Sequence, residues 1–241
     1  RKRKLRTWLT MLGIFISIAT IFTLISLTLG LQNAVKEQFE KLGADKFIIM
    51  PKTGFLGPPG SVGGIILTEK DVNILSKVSG IKDYSYAVVG NAKVEFNREI
   101  KYMMAIGIPM DRTEVYTSSG AFEVAEGQEI KGGRTGEVIL GDLFKNGNIF
   151  SKQINAGEKI IINGKEFRVR GIAKPAGNPQ DDRTILMPLE DAKELFNTSD
   201  RVDQVFVQVE AGENINEIAE NVEKKLRVSR GETEKTQTFI I

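Results

Sequence analysis

Arg1-Lys2-Arg3-Lys4-Leu5-Arg6-Thr7-Trp8-Leu9-Thr10-Met11-Leu12-Gly13-Ile14-Phe15-Ile16 opens the chain and runs on through Leu27-Thr28-Leu29-Gly30-Leu31 to Val35. Five of the first six residues are basic, and no charged side chain occurs from Thr7 to Val35. A segment that long and that apolar spans a hydrocarbon core of about 30 Å. A lone span has to be helical, because lipid offers its backbone no hydrogen-bond partner. Trp8 sits where an interfacial aromatic belongs. The basic excess of Arg1, Lys2, Arg3, Lys4 and Arg6 places that end in the cytoplasm and the rest of the chain outside. The run is too long for a signal-peptide core, and no small-residue cleavage site follows it.

Past the apolar run, Leu31, Val35, Phe39 and Leu42 recur at helical spacing among Gln32, Lys36, Glu37, Glu40 and Lys41. The helix is therefore expected to continue as an amphipathic extension that docks on the outer domain and stops at Gly43. It should be stiff, since a flexible tether would be rich in Gly and Ser. On the span, Thr10, Gly13, Ser17, Thr20 and Thr28 fall on one stripe at 100° per residue. Small and hydroxylated residues let membrane helices approach closely, so this stripe is the expected packing face against other spans. The competing reading is that each hydroxyl bonds its own turn. The span carries no Asp, Glu, Lys, Arg or His and so offers no ion or proton relay.

Composition narrows the chemistry. The formal net charge of the 241 residues is +2, which argues against a polyanionic partner, nucleic acid included. Cysteine and histidine are both absent, which removes disulfides, thiol catalysis, Ser-His-Asp triads and Cys- or His-ligated metals. No cofactor or catalytic residue is expected. Asp181-Asp182 reads as a solvated turn rather than a catalytic pair. The glycine-rich stretch Thr53 to Gly64 lacks the Gly-Lys-Ser/Thr that would make it a phosphate loop. It reads as a mobile loop in which Phe55 and Leu56 touch the membrane or a partner, or fold back on the core.

Beyond the span the pattern is mixed. Asp45 to Met50 reads as a strand ending at Pro51. Thr68 and Asp71 have capping-box spacing before a helix with Val72, Leu75, Val78 and Ile81 on one face. Tyr84 to Ile108 reads as a hairpin broken at Asn97-Arg98, and Lys159 to Gly171 as a second hairpin turning at Asn163-Gly164. From about Thr113 to Arg183 glycine is frequent and strands are short, which suggests an inserted, mainly β subdomain. Leu189 to Phe196 reads as a short helix. Gln204 to Glu210 alternates Val205, Val207 and Val209 against polar residues, as a half-buried strand does. Asn214 to Leu226 reads as an amphipathic helix. The fold class is α+β, with one N-terminal transmembrane helix before a mixed α/β extracytoplasmic domain carrying a β-rich insertion.

Lys4-Leu5-Arg6-Thr7-Trp8-Leu9-Thr10-Met11-Leu12-Gly13-Ile14 resembles the opening of MacB/LolC/FtsX-type ABC transporter permeases. So do Leu42-Gly43-Ala44-Asp45, Gly80-Ile81, Ala105-Ile106-Gly107-Ile108, Val138-Ile139-Leu140-Gly141, Gly157-Glu158-Lys159-Ile160 and Ile185-Leu186-Met187-Pro188, in order along nearly the whole chain. The resemblance implies a first span with its extension (1–43), an α/β part called Porter (44–112 and 184–241) and a β-rich part called Sabre (113–183). It further implies a partner ATPase subunit, a second permease copy or homologue, lipid contact and an unknown extracytoplasmic substrate or protein. The chain starts without Met and ends on Phe239-Ile240-Ile241, so it is expected to be a fragment, and the resemblance implies three further spans after it. The alternatives are a single-pass receptor or sensor with an extracytoplasmic ligand-binding domain, and an FtsX-like activator of cell-wall enzymes.

Overall fold

The computed structural model describes residues 2–42, 45–52, 66–117, 122–147 and 149–241, with the side chains of the first helix described at Trp8 and over 11–32. Residues 1–44 and 45–241 are separate compact units. The first is a single helix, α1 (Lys2–Leu42). It contains neither proline nor a glycine break, and at about 1.5 Å per residue it is roughly 60 Å long. The helix expected from the sequence is thus continuous past the apolar run. Its expected stop, Gly43, lies outside the described residues.

The second unit begins with β1 (Lys46–Pro51), β2 (Leu67–Thr68), α2 (Glu69–Leu75), β3 (Ile81–Phe96) and β4 (Glu99–Ile108). Next come α3 (Glu114–Thr117), β5 (Val124–Gly127), β6 (Glu137–Leu140), α4 (Leu143–Asn146), β7 (Lys159–Ile162) and β8 (Lys165–Ala173). After a 3-10 turn at Asp181–Arg183 follow β9 (Ile185–Pro188), α5 (Leu189–Leu195), β10 (Arg201–Val202), β11 (Gln204–Val209), α6 (Ile215–Arg230) and β12 (Phe239–Ile240). Among the described residues, ten strands form one sheet in the order β12-β1-β11-β3-β4-β9-β6-β8-β5, with β7 bridging β3 and β8. The pairs β4–β9 and β6–β8 are parallel.

Local chemistry explains the elements. The Asp71 carboxylate accepts from the Thr68 N–H (2.8 Å) and hydroxyl (3.0 Å), so the capping box forms. The expected apolar face does reach one core, but the helix does not carry all of it. α2 ends at Leu75, Val78 is buried in the following turn, and Ile81 already belongs to β3. Gly80 makes the change of direction, with φ of 86°. Both hairpins form where expected. Asn97 and Arg98 take φ of 49° and 65°, and Asn163 and Gly164 take 47° and 83°, as a type I′ turn requires. At the end of α6, Gly231 supplies the left-handed cap.

Three apolar clusters hold the unit together. One lies under α2 and α6 and contains Ile49, Leu75, Val205, Val207, Val222 and Phe239. A second contains Val88, Leu140, Phe144, Phe167 and Met187. A third gathers Val89, Ile108, Tyr116, Ile139 and Leu186. Val88 and Val89, Ile139 and Leu140, and Leu186 and Met187 are strand neighbours that divide between the last two clusters, so these cover opposite faces of the sheet. The stretch 113–183 is stitched to the rest by its strands: β6 pairs with β9 and β7 with β3. A buried carboxylate adds to this, since Asp191 on α5 accepts from the Gly136 N–H at 2.7 Å.

A polar knot closes the other end. Arg230, the last residue of α6, donates to Asp71 (2.7 Å), Glu232 (2.8 Å) and Thr238 (3.1 Å). Glu232 in turn accepts from the Thr238 N–H at 3.0 Å. This ties α2, α6 and the approach to β12 together. Asp182 corrects an expectation from the sequence. It is buried, and its carboxylate accepts from the Ala176 N–H at 2.7 Å, so it holds a turn rather than facing solvent. Its neighbour Asp181 is exposed.

Candidate functional site

The candidate site is the apolar segment of α1, Met11–Gln32, the one helix among the described residues long and apolar enough to cross a membrane. Every residue of this segment is exposed, and large apolar side chains project all round it rather than along one stripe. A helix apolar on every side has no place on a water-soluble surface and is matched by lipid or by other apolar helices. Trp8 lies at its start, 65% exposed.

Gly13, Ser17, Thr20 and Thr28 share one face within an arc of about 80° at 100° per residue. Their hydroxyls are already used as donors. Ser17 donates to the Gly13 carbonyl (2.9 Å), Thr20 to Ile16 (2.8 Å) and Thr28 to Leu24 (2.9 Å). Thr23, off the stripe, does the same to Ala19 at 2.8 Å. The hydroxyl protons are thus satisfied within the helix, as the competing reading of the sequence held. What the stripe keeps is smallness and free oxygen lone pairs. A Cβ built on Gly13 meets nothing within 4 Å, which leaves an open notch on the helix surface.

The remaining sequence-derived residues distribute as follows. Leu31 is exposed on the helix. Val35, Phe39 and Leu42 lie in the helical backbone of α1, as do Lys2, Arg3, Lys4, Arg6 and Thr10, and the side chains of all of them fall outside the described set. Arg1, Phe55 and Leu56 lie outside the described residues altogether. Among the described residues, no cluster of carboxylates is arranged to hold a metal ion.

Sequence reasoning missed the ion pairs that organise the outer unit. Lys193 on α5 reaches Glu69 on α2 at 2.6 Å. Asp203 accepts from the Val89 N–H at 2.7 Å and pairs with Arg201 at 3.2 Å, and burial pushes its carboxyl above the usual aspartate value. Glu69 and Lys193, and Val89 and Asp203, lie 124 and 114 residues apart, and no local pattern announces their meeting.

An all-round apolar helix joined to a mixed α/β unit defines a membrane protein with a folded domain outside the bilayer. The sequence profile of the MacB-like periplasmic core domain matches residues 7–225, so the chain belongs to this family, carried by ABC transporter permeases. It is 31% identical over 233 residues to an uncharacterised ABC transporter permease of Methanocaldococcus jannaschii, covering 96% of this chain and 57% of that protein. It is 26% identical over 227 residues to the macrolide export ATP-binding/permease protein MacB of Bdellovibrio bacteriovorus, covering 92% of this chain and 35% of that one. The chain thus spans about half the length of the first relative and about a third of the second. Its fold is similar to the periplasmic region of MacB from Actinobacillus actinomycetemcomitans, with a TM-score of 0.65 at 17% identity, covering 83% of this chain and 89% of that one. It is also similar to the extracellular domain of the transporter YknZ, with a TM-score of 0.61 at 19% identity, covering 81% of this chain and 98% of that one.

Proposed function

We propose that this chain is the permease subunit of a MacB/LolC/FtsX-type ABC transporter that turns cytoplasmic ATP hydrolysis into movement of its extracytoplasmic domain. The observation that carries the reading is the unbroken helix Lys2–Leu42, whose last ten residues lie beyond the apolar segment. A continuous helix passes on a displacement or rotation that a coil would absorb. In this reading Arg1 to Arg6 sit in the cytoplasm. The stripe Thr10, Gly13, Ser17, Thr20 and Thr28 packs on other spans, including those of a second copy or homologue, while the other faces meet lipid. Leu31, Val35, Phe39 and Leu42 form the coupling face.

ATP hydrolysis comes from a separate nucleotide-binding subunit, an arrangement in keeping with the Methanocaldococcus relative named simply as a permease. In the MacB relatives the ATP-binding and permease parts share one chain. The work is export of substrates, or their extraction outside the membrane. The division at 112/113 and 183/184 into a Porter-like and a Sabre-like part belongs to the same proposal.

The test is mechanical. The full permease is reconstituted with its ATPase in vesicles, and a spin label on the outer unit reports its ATP-dependent displacement. Val35→Pro breaks the helix, at a cost of about 3 kcal/mol within the helix itself. It should abolish the displacement while ATP hydrolysis stays within about twofold and the outer unit remains folded. A displacement of normal size in the Val35→Pro protein would show that no stiff link is needed and would favour a tethered receptor.

A further inference from the structure

β4 is paired on one side only over its first half. The two-residue turn at Asn97-Arg98 makes Phe96 and Glu99 the first hydrogen-bonded pair with β3, and the register then alternates. Lys101 and Met103 therefore point their backbone groups at β3, while Ile100 and Tyr102 point theirs outward. The far side of β3 confirms the phase. Lys93, opposite Tyr102, turns away from β4 and exchanges bonds with Asn163, its N–H to the side-chain oxygen and its carbonyl from the N–H, both at 2.8 Å. β9 joins β4 only from Ala105, opposite Ile185. Among the described residues no strand or loop backbone meets the outward groups of Ile100 and Tyr102.

A groove of about 640 Å³ runs along this free edge. It is lined by the four consecutive residues Lys101 to Met104 together with Ile149 and Arg183. Successive strand residues face opposite ways, so a groove lined by four in a row follows the edge rather than one face. Its walls are apolar where Met103, Met104 and Ile149 meet it. Tyr102 is 75% exposed and Ile100 51% exposed. Lys101 and Arg183 add two cations, and among the described residues neither lies within ion-pair distance of a carboxylate; the acidic groups nearby in the chain are Glu99, held by Ser151, and the exposed Asp181. A lysine on an edge strand guards against aggregation, but an exposed isoleucine and tyrosine beside it work against that end.

The geometry points to a β-addition site: an extended, acid-flanked segment of a partner protein adds as a strand to the free edge of β4 at Ile100–Met104. The outward groups of Ile100 and Tyr102 supply main-chain hydrogen bonds, and the methionines and Ile149 take alternate apolar side chains. Lys101 and Arg183 select acidic flanks and disfavour a second copy of this edge, which would bring like charges together. This inference stands apart from the transport reading, because it concerns binding without ATP.

The test uses the full chain in lipid nanodiscs and a fluorescent strand-length peptide of alternating valine and threonine flanked by aspartates, read by anisotropy. Saturable binding is expected, weakened at least about tenfold when the flanks are lysine. N-methylation of the peptide at the alternate residues facing the edge should abolish binding, while methylation at the intervening residues should not. On the protein, Tyr102→Pro removes an outward N–H that β3 does not use, a position an edge strand tolerates. It should abolish binding with the circular dichroism spectrum unchanged. Absence of saturable binding, equal affinity for both peptides, or binding that survives edge-facing N-methylation would each overturn the inference. Self-association through β4 in place of peptide binding would overturn it as well.

Discussion

Gly107 shows how much one missing methyl decides. A Cβ there would lie 2.1 Å from the Cβ of Ala192 and 3.3 Å from the Leu189 Cα, so β4 and α5 touch through backbone. Gly107→Ala should destabilise the outer unit by about 1–3 kcal/mol, the usual cost of overpacking. Adding Ala192→Gly should recover part of the loss in urea melts, because it removes the atom met first at the cost of about 1 kcal/mol for a glycine inside α5. Asp203 gives a pH signature. Its folded pKa is raised, by burial first, so the stability it contributes is full below the unfolded value near 3.8 and is lost as pH rises through the folded one. Asparagine does not titrate. The stability of Asp203→Asn relative to the parent should therefore climb as pH rises just above 3.8 and then level off, which denaturant midpoints across that range will check.

At the scale of elements, what was legible in the sequence is what rests on neighbours in the chain. Val205, Val207 and Val209 alternate and are buried; Asn163-Gly164 turns a hairpin; Thr68 and Asp71 cap α2. The end of α2 was not legible, because Val78 and Ile81 keep helical spacing after the backbone has left the helix. Nor were the parallel pairings β4–β9 and β6–β8, or the pair Asp71–Arg230, whose members are 159 residues apart. The free edge of β4 escaped for the same reason, since it exists only because β9 arrives late. α1 was the most legible element, and its packing face can be tested. Gly13→Leu leaves the isolated helix unstrained, since nothing lies within 4 Å of the new Cβ. An assembly defect in that variant therefore reports on a neighbouring span, while Phe15→Leu, about half a turn away, should be mild. Equal behaviour of the two in a cross-linking assay of permease assembly would reduce the stripe to ordinary spanning sequence.

For the whole molecule, the first question is which side of the bilayer holds the outer unit. The basic excess predicts that it lies outside, and a single cysteine in this cysteine-free chain can report it. The site must be chosen with care. Gly147, the residue that caps the end of α4, has no room, since a Cβ there falls 2.9 Å from the Leu143 backbone. Gly132 is open on every side. Gly132→Cys should react with a membrane-impermeant maleimide in intact cells, and labelling only after lysis would reverse the topology.

The first strand of the outer unit, β1, lies beside β12. β1 and β12 are antiparallel, with Met50 opposite Ile240 and Pro51 opposite Phe239, so the start of β1 and the end of β12 point to the same end of the sheet's outermost pair. Forces drawing those two ends apart load the ladder bond by bond, like a zipper, whereas β1 and β11 meet over four registered pairs and give way less readily. β12 offers only two pairs of its own. Its resistance to peeling therefore rests on the fully buried ring of Phe239, on the Lys52 N–H bond to the Thr238 carbonyl, and on the knot of Arg230, Glu232 and Thr238 just before it. The short β1–β12 ladder is the weakest pairing at this edge of the sheet, and one buried ring together with a few charged groups backs it against being drawn open.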